Sequence, residues 1–270
     1  MSTIIDPPSL FLLCMQVFIE NFPVSSSTQI DFLYTIMTRY SIFLSNTSLN
    51  SAHELITFFH GPTALIIIFF YRATWMACIR KIKSQIGRIC HIVGMVLYAD
   101  IITTVIVFSL KHNSFGFPVW LGQLITSSLL CSLFYTSRSD HSAPLTYARS
   151  TMLGILQGIA ILPGISRLAV TYTGARWLGM SPRKAFATAW MVLIPLIGAD
   201  ICVTGIRSFP LYPDILMQPS VLCTYGISCI IGFLGFWASY ALAINYAMQY
   251  CAFYTIITTV AMYMKAFSLG

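Results

Sequence analysis

The sequence predicts an all-α protein that crosses a membrane several times. Of its 270 residues, 57% are hydrophobic and only 9% are charged, and the mean hydropathy is +0.79. Soluble domains carry about 25% charged residues, so this composition excludes an ordinary soluble fold. Several apolar runs also reach the roughly 20 residues that a helix needs to cross a bilayer core. We therefore predict one membrane domain that comprises residues 1–270.

Six segments are long and apolar enough to be predicted as complete spans. They are residues 53–72, 89–110, 117–135, 185–206, 219–241 and 246–267. Two further apolar runs, 10–22 and 151–162, hold only about a dozen residues each. Each is followed by Pro, Ser and a second short helix candidate, at 29–44 and 168–180. Runs that short are typical of re-entrant or broken helices.

The positive charges indicate how the chain is oriented. Lys and Arg collect in the connections 72–88, 136–150 and 176–184. Because cytoplasmic loops are enriched in these residues, we place the three connections on the cytoplasmic side and the loops near 45–52, 111–117 and 207–218 on the other side. The net charge of +7 thus lies in short gaps between spans and not on a soluble basic face, so we expect no nucleic-acid partner.

Neither the cysteines nor the N-terminal region indicates the disulfides or the signal peptide that are common in secreted proteins. The eight cysteines are scattered without a CxxC motif, so we expect small hydrophobic residues and neither disulfides nor metal ligands. The first apolar stretch has no basic region before it and no small-residue cleavage site after it, so we expect no removable signal peptide.

The two short-helix regions resemble each other. At a constant offset of 141 residues, LLCMQVFIENFPVSSST (12–28) aligns with LGILQGIAILPGISRLA (153–169). Leu, Gln and Ser match in order, and Ser26 stands opposite Arg167. We infer two repeats, about 10–135 and 151–267, with an inverted arrangement as the expected one. Paired, interrupted apolar segments in corresponding halves point to a binding site at the repeat interface.

Glu20 and Arg167 are the charged candidates for that site. A carboxylate in an apolar segment costs about 2.5–3.5 kcal/mol to insert, and Gln16 lies on the same helical face four residues earlier. Arg167, in LPGISRLAV, is the partner that we expect for Glu20, since its planar donors suit phosphate. The alternatives are a carboxylate at a helix end near the headgroups and an arginine that reaches the interface.

Hydroxyl groups complete the predicted anion site. Several of them precede a helix start, where backbone N–H groups bind anions, and one serine alone would be only a cap. The pattern indicates a phosphate site with a hydroxyl nucleophile and a nearby carboxylate. The hydroxyls are those of Ser25, Ser26, Ser27, Thr28 and Thr171.

Other polar residues in apolar runs are given structural roles. Asp100 and Asp200 lie inside predicted spans, where proton relay is the functional alternative. We expect structural pairing, because neither belongs to the repeated motif. His53, Glu54 and His60 do not share one tight helical face, which argues against a metal site there.

These motifs resemble the signatures of the undecaprenyl-diphosphate phosphatases, the bacitracin-resistance proteins. ENFPVSSSTQ (20–29) resembles their first signature, EFLPxSSTGH. The stretch LPGISRLAVTYTGARWLGMSPRKAFATAWMVLIPLIGA (162–199) resembles the second, a PGxSRSGAT-like run followed by a Gly-x-Ser segment and an "IP" span. FFHGPTALIIIFFYR (58–72) also fits the family, and the resemblance extends over nearly the whole chain.

The resemblance implies a membrane enzyme with inverted repeats and re-entrant helices. Such an enzyme removes the terminal phosphate from undecaprenyl diphosphate, a polyprenyl diphosphate lipid, and regenerates the monophosphate carrier for peptidoglycan and other envelope polymers. It also implies a multi-pass protein of the bacterial inner membrane with a periplasmic site, and activity supported by a divalent cation, Mg²⁺ or Ca²⁺. A homodimer is one assembly that it allows.

The resemblance also assigns residues. The second signature places its Ser, Arg and Thr at Ser166, Arg167 and Thr171. The first places its acid at Glu20 and makes Ser26 the candidate nucleophile. Glu20, Ser26 and Arg167 are then the catalytic set, and Glu20 is also the candidate metal ligand. The substrate-binding set is Gln16, Ser25, Ser27, Gln29, Ser166 and Thr171.

The chain departs from the family pattern at several positions. Gln16 and Gln29 stand where the family has a second glutamate and a histidine, Leu168 and Ala169 replace Ser-Gly, and Ala187 replaces a later glutamate. A glutamine keeps hydrogen bonds but cannot replace charge or proton transfer. Hydrolysis of a polyprenyl diphosphate is therefore the leading hypothesis, and a non-hydrolytic polyprenyl-phosphate binder or transporter is the alternative.

Overall fold

The computed structural model describes residues 7–39, 57–112, 116–136, 142–208 and 217–268, and every regular element with both ends in these ranges is a helix. His53 and Glu54 lie outside the described residues. The α-helices are α1 (Pro7–Glu20), α2 (Ser26–Arg39), α3 (His60–Phe70), α4 (Arg72–Arg80), α5 (Ile82–His112), α6 (Val119–Ser132), α7 (Tyr147–Ile159), α8 (Arg167–Trp177), α9 (Pro182–Ser208), α10 (Pro219–Ile244) and α11 (Cys251–Ser268). Short 3-10 helices cover Leu133–Tyr135 and Met248–Tyr250.

Three of the six predicted spans are confirmed as long apolar helices. Ser84–Leu110, Pro182–Val203 and Pro219–Ile244 are long and apolar enough to cross a membrane. They contain the predicted spans 89–110 and 219–241 in full and most of 185–206. The described part of the chain therefore forms a multi-pass, all-helical membrane protein.

The prediction of six complete spans is not confirmed, because the other three segments are interrupted or short. In the segment predicted as 53–72, α3 ends at Phe70 and the chain bends by 60° into α4, so this pair counts as one broken span at most. The segment 117–135 forms a shorter apolar helix, Val119–Tyr135. In 246–267, Tyr246 has a φ of 54° and a 3-10 turn follows, so the α-helix starts only at Cys251.

Both predicted pairs of short helices are present. The first turn, residues 21–25, joins α1 to α2, and the second turn, residues 160–166, joins α7 to α8. Each turn contains a residue in the left-handed region, Ser25 with φ 61° and Gly164 with φ 87°. This conformation is costly for serine and free for glycine. The tight reversals explain why neither apolar run continues as a single long helix.

Close helix contacts at glycines hold the bundle together. On α7, Gly154 faces the backbone of Ala99 on α5, and Gly158 faces Ile106 one turn further along. On α10, Gly232 packs against α1 and α3, and Gly235 packs against Phe18 of α1. Because lipid tails are as apolar as the side chains, membrane helices associate through such close packing and interhelical hydrogen bonds.

The cysteines and Asp100 were both given structural roles from the sequence. All eight cysteines are free thiols. Asp100 was expected to be structurally paired, but within the described residues neither of its buried carboxylate oxygens has a hydrogen-bond partner. The neighbouring hydroxyls are used elsewhere, since Thr103 donates to backbone carbonyls of Ala99 and Gly154, and Thr104 donates to the backbone carbonyl of Asp100.

The contact between α7 and α5 gives a stability prediction. A Cβ at residue 154 would lie 2.5 Å from the carbonyl oxygen of Ala99, whereas a Cβ at the exposed Gly226 would meet nothing within 4 Å. Gly154→Ala should therefore destabilise the fold by about 1–3 kcal/mol through overpacking. Gly226→Ala should be neutral or slightly stabilising, because alanine favours a helix by about 1 kcal/mol over glycine. Thermal unfolding of both variants in the same detergent checks this, and equal melting temperatures would contradict the packing argument.

Candidate functional site

The two turns face each other across a pocket of about 220 Å³. Its polar lining comes from the end of α1, the starts of α2, α3 and α8, and the middle of α9. The sequence-predicted residues that line it are Glu20, Ser25, Ser26, Ser27, Ser166 and Arg167. The structure therefore brings together the three predicted catalytic side chains, which lie up to 147 positions apart in the chain.

Two helix starts meet at this pocket. Ser26 is the first residue of α2 and Arg167 is the first residue of α8, the same positions that the repeat alignment pairs. The first N–H groups of a helix have no partner within the helix, and the helix dipole adds partial positive charge there. Together with the exposed guanidinium of Arg167, these ends make the pocket suited to an anion.

Helix α6 holds both turns in place. Gln123 donates through Nε2 to the carbonyl of Val24 in the first turn, at 3.2 Å. One turn of helix later, Thr126 donates to the carbonyl of Gly164 at 3.1 Å and accepts from the backbone N–H of Ser166 at 3.0 Å. Both side chains are fully buried. The relative position of the two turns, and so the shape of the pocket, depends on two adjacent side chains of one helix.

The three serines of the first turn are not equivalent. The buried Ser25 has its hydroxyl 3.1 Å from that of Thr28, with which it shares a hydrogen bond. Ser26 is half-buried and Ser27 is exposed, and both line the pocket. The Ser25 hydroxyl is therefore engaged within the turn, while Ser26 lies in the pocket lining at the helix start.

Glu20 is bound by α3 and not by the arginine that we expected as its partner. Its Oε1 lies 2.7 Å from Nδ1 of His60, an ion-pair distance without the alignment of a hydrogen bond. Its Oε2 accepts a hydrogen bond from the Thr63 hydroxyl at 2.7 Å. Arg167 lines the same pocket but forms no ion pair with Glu20. The physical reason is proximity, since the start of α3 lies directly beside the end of α1.

Asp200 and Arg167 complete the charged lining. Asp200 lies on α9 with its Oδ2 4.0 Å from Nε2 of His60. The pairing that we expected for Asp200 is thus a loose one with a residue of the site. Arg167 lines the same pocket as His60. Two acidic and two basic side chains, Glu20, Asp200, His60 and Arg167, therefore surround the pocket.

Three residues of the predicted binding set do not line the pocket. Gln16 and Thr171 are buried, and the Thr171 hydroxyl donates to the carbonyl of Arg167 at 2.8 Å. Gln29 is buried as well; its Nε2 donates to the carbonyl of Val24, and its Oε1 accepts from the hydroxyl of Tyr254. Gln29 thus supports the first turn from behind and Thr171 bonds within α8, whereas Ser166 lines the pocket and caps α8 through Ala169 N–H.

The donor set does not form a resident metal site. Both oxygens of Glu20, the candidate metal ligand, already contact Thr63 and His60. Within the described ranges, no group of three or more His, Cys, Asp or Glu residues has an arrangement that could hold a metal ion.

Sequence reasoning missed the residues that position the site. His60 and Thr63 were read as part of an ordinary span, and Gln123 and Thr126 were not singled out. A polar residue in an apolar run was the available signal: LGQLITSS (121–128) places Gln and Thr three residues apart on one face. No sequence pattern indicated which carbonyls they would bind.

The fold and the pocket define a class, a polytopic membrane protein with an anion site between two paired short helices. The family model of "Bacitracin resistance protein BacA" matches residues 10–261. The chain belongs to this family.

Curated relatives agree at low identity. A protein of Pyrobaculum aerophilum named "Undecaprenyl-diphosphatase" is 26% identical over 195 residues, which cover 66% of this chain and 68% of the relative. One of Burkholderia orbicola, "Undecaprenyl-diphosphatase 2", is 25% identical over 217 residues, 70% of this chain and 72% of the relative. With a Gluconacetobacter diazotrophicus protein, also "Undecaprenyl-diphosphatase", the match is 26% over 161 residues and spans about half of each chain, 51% and 54%.

Thr126 gives the prediction of this subsection. Thr126→Val removes one donor and one acceptor and leaves the Gly164 carbonyl and the Ser166 N–H unsatisfied in a buried place, at a cost of about 1–3 kcal/mol each. We expect a lower melting temperature and a loss of phosphate-ligand affinity, because the second turn carries Arg167. Ser128→Ala, two residues away and exposed, is the matched control. Thermal unfolding with and without inorganic diphosphate measures both effects, and identical behaviour of the two variants would contradict the role of Thr126.

Proposed function

We propose that this protein hydrolyses undecaprenyl diphosphate to undecaprenyl monophosphate and phosphate. The observation that carries the proposal is the shared pocket, which is lined by serine hydroxyls and Glu20 around the first turn and by Arg167 next to the second turn. The family and the names of the relatives support the same reaction. Such an enzyme supplies carrier lipid for peptidoglycan synthesis and confers bacitracin resistance. The alternative, a binder or transporter without hydrolysis, is not favoured, because the relatives are named as diphosphatases.

The reaction assigns one role to each side chain. Arg167 and the N–H groups at the helix starts bind the non-bridging oxygens of the diphosphate. The Ser26 oxygen bonds to the terminal phosphorus as the bond to the bridging oxygen breaks, and that oxygen leaves with the electron pair on the polyprenyl monophosphate. The hydroxyl proton passes to a basic group on the wall of the pocket that carries Glu20. Water then attacks the phosphoserine, the bond to Ser26 breaks, the serine oxygen regains a proton, and inorganic phosphate leaves.

An apolar groove next to the pocket supports a lipid substrate. Phe22 lines the pocket and also a groove of about 450 Å³ formed by α1, α10 and α11. The groove is lined mainly by apolar and aromatic side chains, including Phe18, Ile19, Leu242 and Tyr254. A diphosphate bound at Arg167 would therefore have an apolar path for its prenyl chain past Phe22. The continuity of a polar and an apolar compartment matches the two-part chemistry of a polyprenyl diphosphate.

We infer that the pocket opens on the periplasmic side of the bacterial inner membrane. Helix α9 runs from Arg183 and Lys184 near its start to Asp200 at the pocket. Sixteen residues of helix span about 24 Å at 1.5 Å per residue, close to the thickness of the hydrocarbon core. Basic residues mark the cytoplasmic side, so the pocket lies towards the opposite face.

An inverted repeat is the arrangement that we propose for the two halves. Reciprocal packing supports it: α1 of the first half packs on α10 of the second, and α7 of the second packs on α5 of the first. Each half then contributes one turn to one site. A homodimer remains a prediction. For the divalent cation, Mg²⁺ or Ca²⁺, we propose entry as the counter-ion of the diphosphate.

Phosphate release from purified protein tests the function. With undecaprenyl diphosphate in detergent and Mg²⁺ or Ca²⁺, we expect phosphate release that Ser26→Ala lowers by at least about 10³-fold, since the nucleophile is lost. Arg167→Ala should lower kcat/KM by about 10²–10³-fold, the cost of removing one stabilising donor. Ser128→Ala and Arg80→Ala, on exposed helix faces away from the pocket, serve as matched controls with unchanged rates.

The outcomes separate function from site. Diphosphate binding without any phosphate release from the unmodified protein would favour the non-hydrolytic binder. Release that survives in both Ser26→Ala and Arg167→Ala would instead refute this pocket as the active site.

The groove makes a prediction about chain length. Leu242→Trp fills part of the groove without touching the polar pocket. We expect a rise in KM of about tenfold for undecaprenyl diphosphate, because the lost burial of two methylene groups is worth about 1.5 kcal/mol, and little change for a short prenyl diphosphate. Leu222→Trp, on an exposed face of the same helix, is the control. An equal effect on long and short substrates would show that the prenyl chain lies elsewhere.

A further inference from the structure

His60 occupies a position in the pocket that no other imidazole shares within the described residues. Each of its ring nitrogens faces a carboxylate: Nδ1 lies 2.7 Å from Glu20 and Nε2 lies 4.0 Å from Asp200. The side chain is 22% exposed, and that exposed part belongs to the pocket lining. The three side chains come from α1, α3 and α9, so the arrangement arises only in the folded chain.

We propose that His60 is the acid–base residue of the reaction and that Glu20 is its positioning carboxylate. This inference rests on the proposed hydrolysis and goes beyond it by assigning the proton transfer to a residue that neither the family resemblance nor the sequence motifs indicate. The geometry is that of an imidazole with a carboxylate beside Nδ1, and its Nε2, only loosely paired with Asp200 at 4.0 Å, belongs to a side chain that lines the same pocket as Ser26.

The contacts of Glu20 argue against Glu20 itself as the proton acceptor. Thr63 occupies one oxygen as a donor and His60 lies against the other. A carboxylate that accepts from a hydroxyl on one oxygen and lies against an imidazole on the other is suited to positioning that ring and to stabilising positive charge on it. Imidazole exchanges protons efficiently near neutral pH.

Gln29 cannot fill this role. Its amide is buried, bonded to the Val24 carbonyl and the Tyr254 hydroxyl, and it is not part of the pocket lining. A carboxamide also neither gains nor loses a proton near neutral pH, so it cannot act in acid–base catalysis. The charged groups around His60 are Glu20 at 2.7 Å, Asp200 at 4.0 Å and Arg167 in the same pocket lining, and a positive charge on the ring is attracted by the two carboxylates and repelled by the guanidinium.

The proton balance of both half-reactions can then be written through His60. In the first, Nε2 takes the proton from the Ser26 hydroxyl while the serine oxygen bonds to phosphorus. That proton returns to the serine oxygen when the phosphoserine bond breaks in the second half-reaction. The attacking water loses its own proton to the phosphate that forms. The imidazole ends neutral, and no oxidant, reductant or further reactant is needed.

The test uses full-length protein in detergent with undecaprenyl diphosphate. His60→Ala should lower kcat by about 10²–10⁴-fold, the usual contribution of a general acid–base group, with little change in KM. Added imidazole should restore part of the rate in His60→Ala, because the removed ring leaves space beside the pocket, and it should not restore Glu20→Ala. His60→Gln should stay as slow as His60→Ala, since glutamine keeps hydrogen bonding but transfers no proton. His91→Ala, an exposed histidine on α5, is the control, with an unchanged rate.

Each result decides a different point. Full activity in His60→Ala or in His60→Gln would overturn the acid–base role, and so would a loss in His60→Ala that imidazole does not restore. Melting curves of His60→Gln identify a loss that comes only from misfolding of the alanine variant. Absence of phosphate release from the unmodified protein would overturn the proposed function itself, and the role of His60 with it.

Discussion

The site depends on helix α6, which binds the two turns that form it. Gln123 and Thr126 lie one turn apart on this helix and bond to the carbonyls of Val24 and Gly164. Neither turn has strands or long helices to fix it, and the first contains a serine in the costly left-handed region. In a bilayer, unpaired carbonyls at this depth would each cost several kcal/mol. The same hydrogen bonds therefore satisfy the backbone and set the distance between Ser26 and Arg167.

A second consequence concerns charge. Anion recognition needs positive potential, yet a bare arginine is expensive inside a membrane. Here Arg167 lies at a helix start beside a second helix start, so part of the positive potential comes from backbone N–H groups that carry no net charge. The carboxylates of Glu20 and Asp200 lie in the same pocket lining. The attraction for a diphosphate therefore has to come from Arg167 and the two helix starts acting together.

The sequence predicted the parts of this structure that are coded locally. Two helix pairs were predicted from the short apolar runs and from the Pro and Ser that follow them. The Gln and Ser shared by both copies then placed Ser26 opposite Arg167. It could not predict the contact of His60 with Glu20, which joins residues 40 positions apart through the packing of α3 on α1. The helix α4 that follows the bend at Tyr71 and the start of α11 only at Cys251 were also not predicted from the sequence.

The contacts of Gln29 explain why a glutamine can stand where the family signature has a histidine. With its amide turned away from the pocket to hold Val24 and Tyr254, Gln29 stiffens the first turn from the same carbonyl that Gln123 binds. Loss of an ionisable group there does not leave the pocket without one, because α3 brings His60 to the opposite wall, next to the carboxylate at the end of α1. The acid–base group that the reaction needs can therefore come from any helix that lines the pocket and does not have to stand at position 29. A signature with a replaced histidine is therefore weak evidence against catalysis when another helix supplies an imidazole to the same carboxylate.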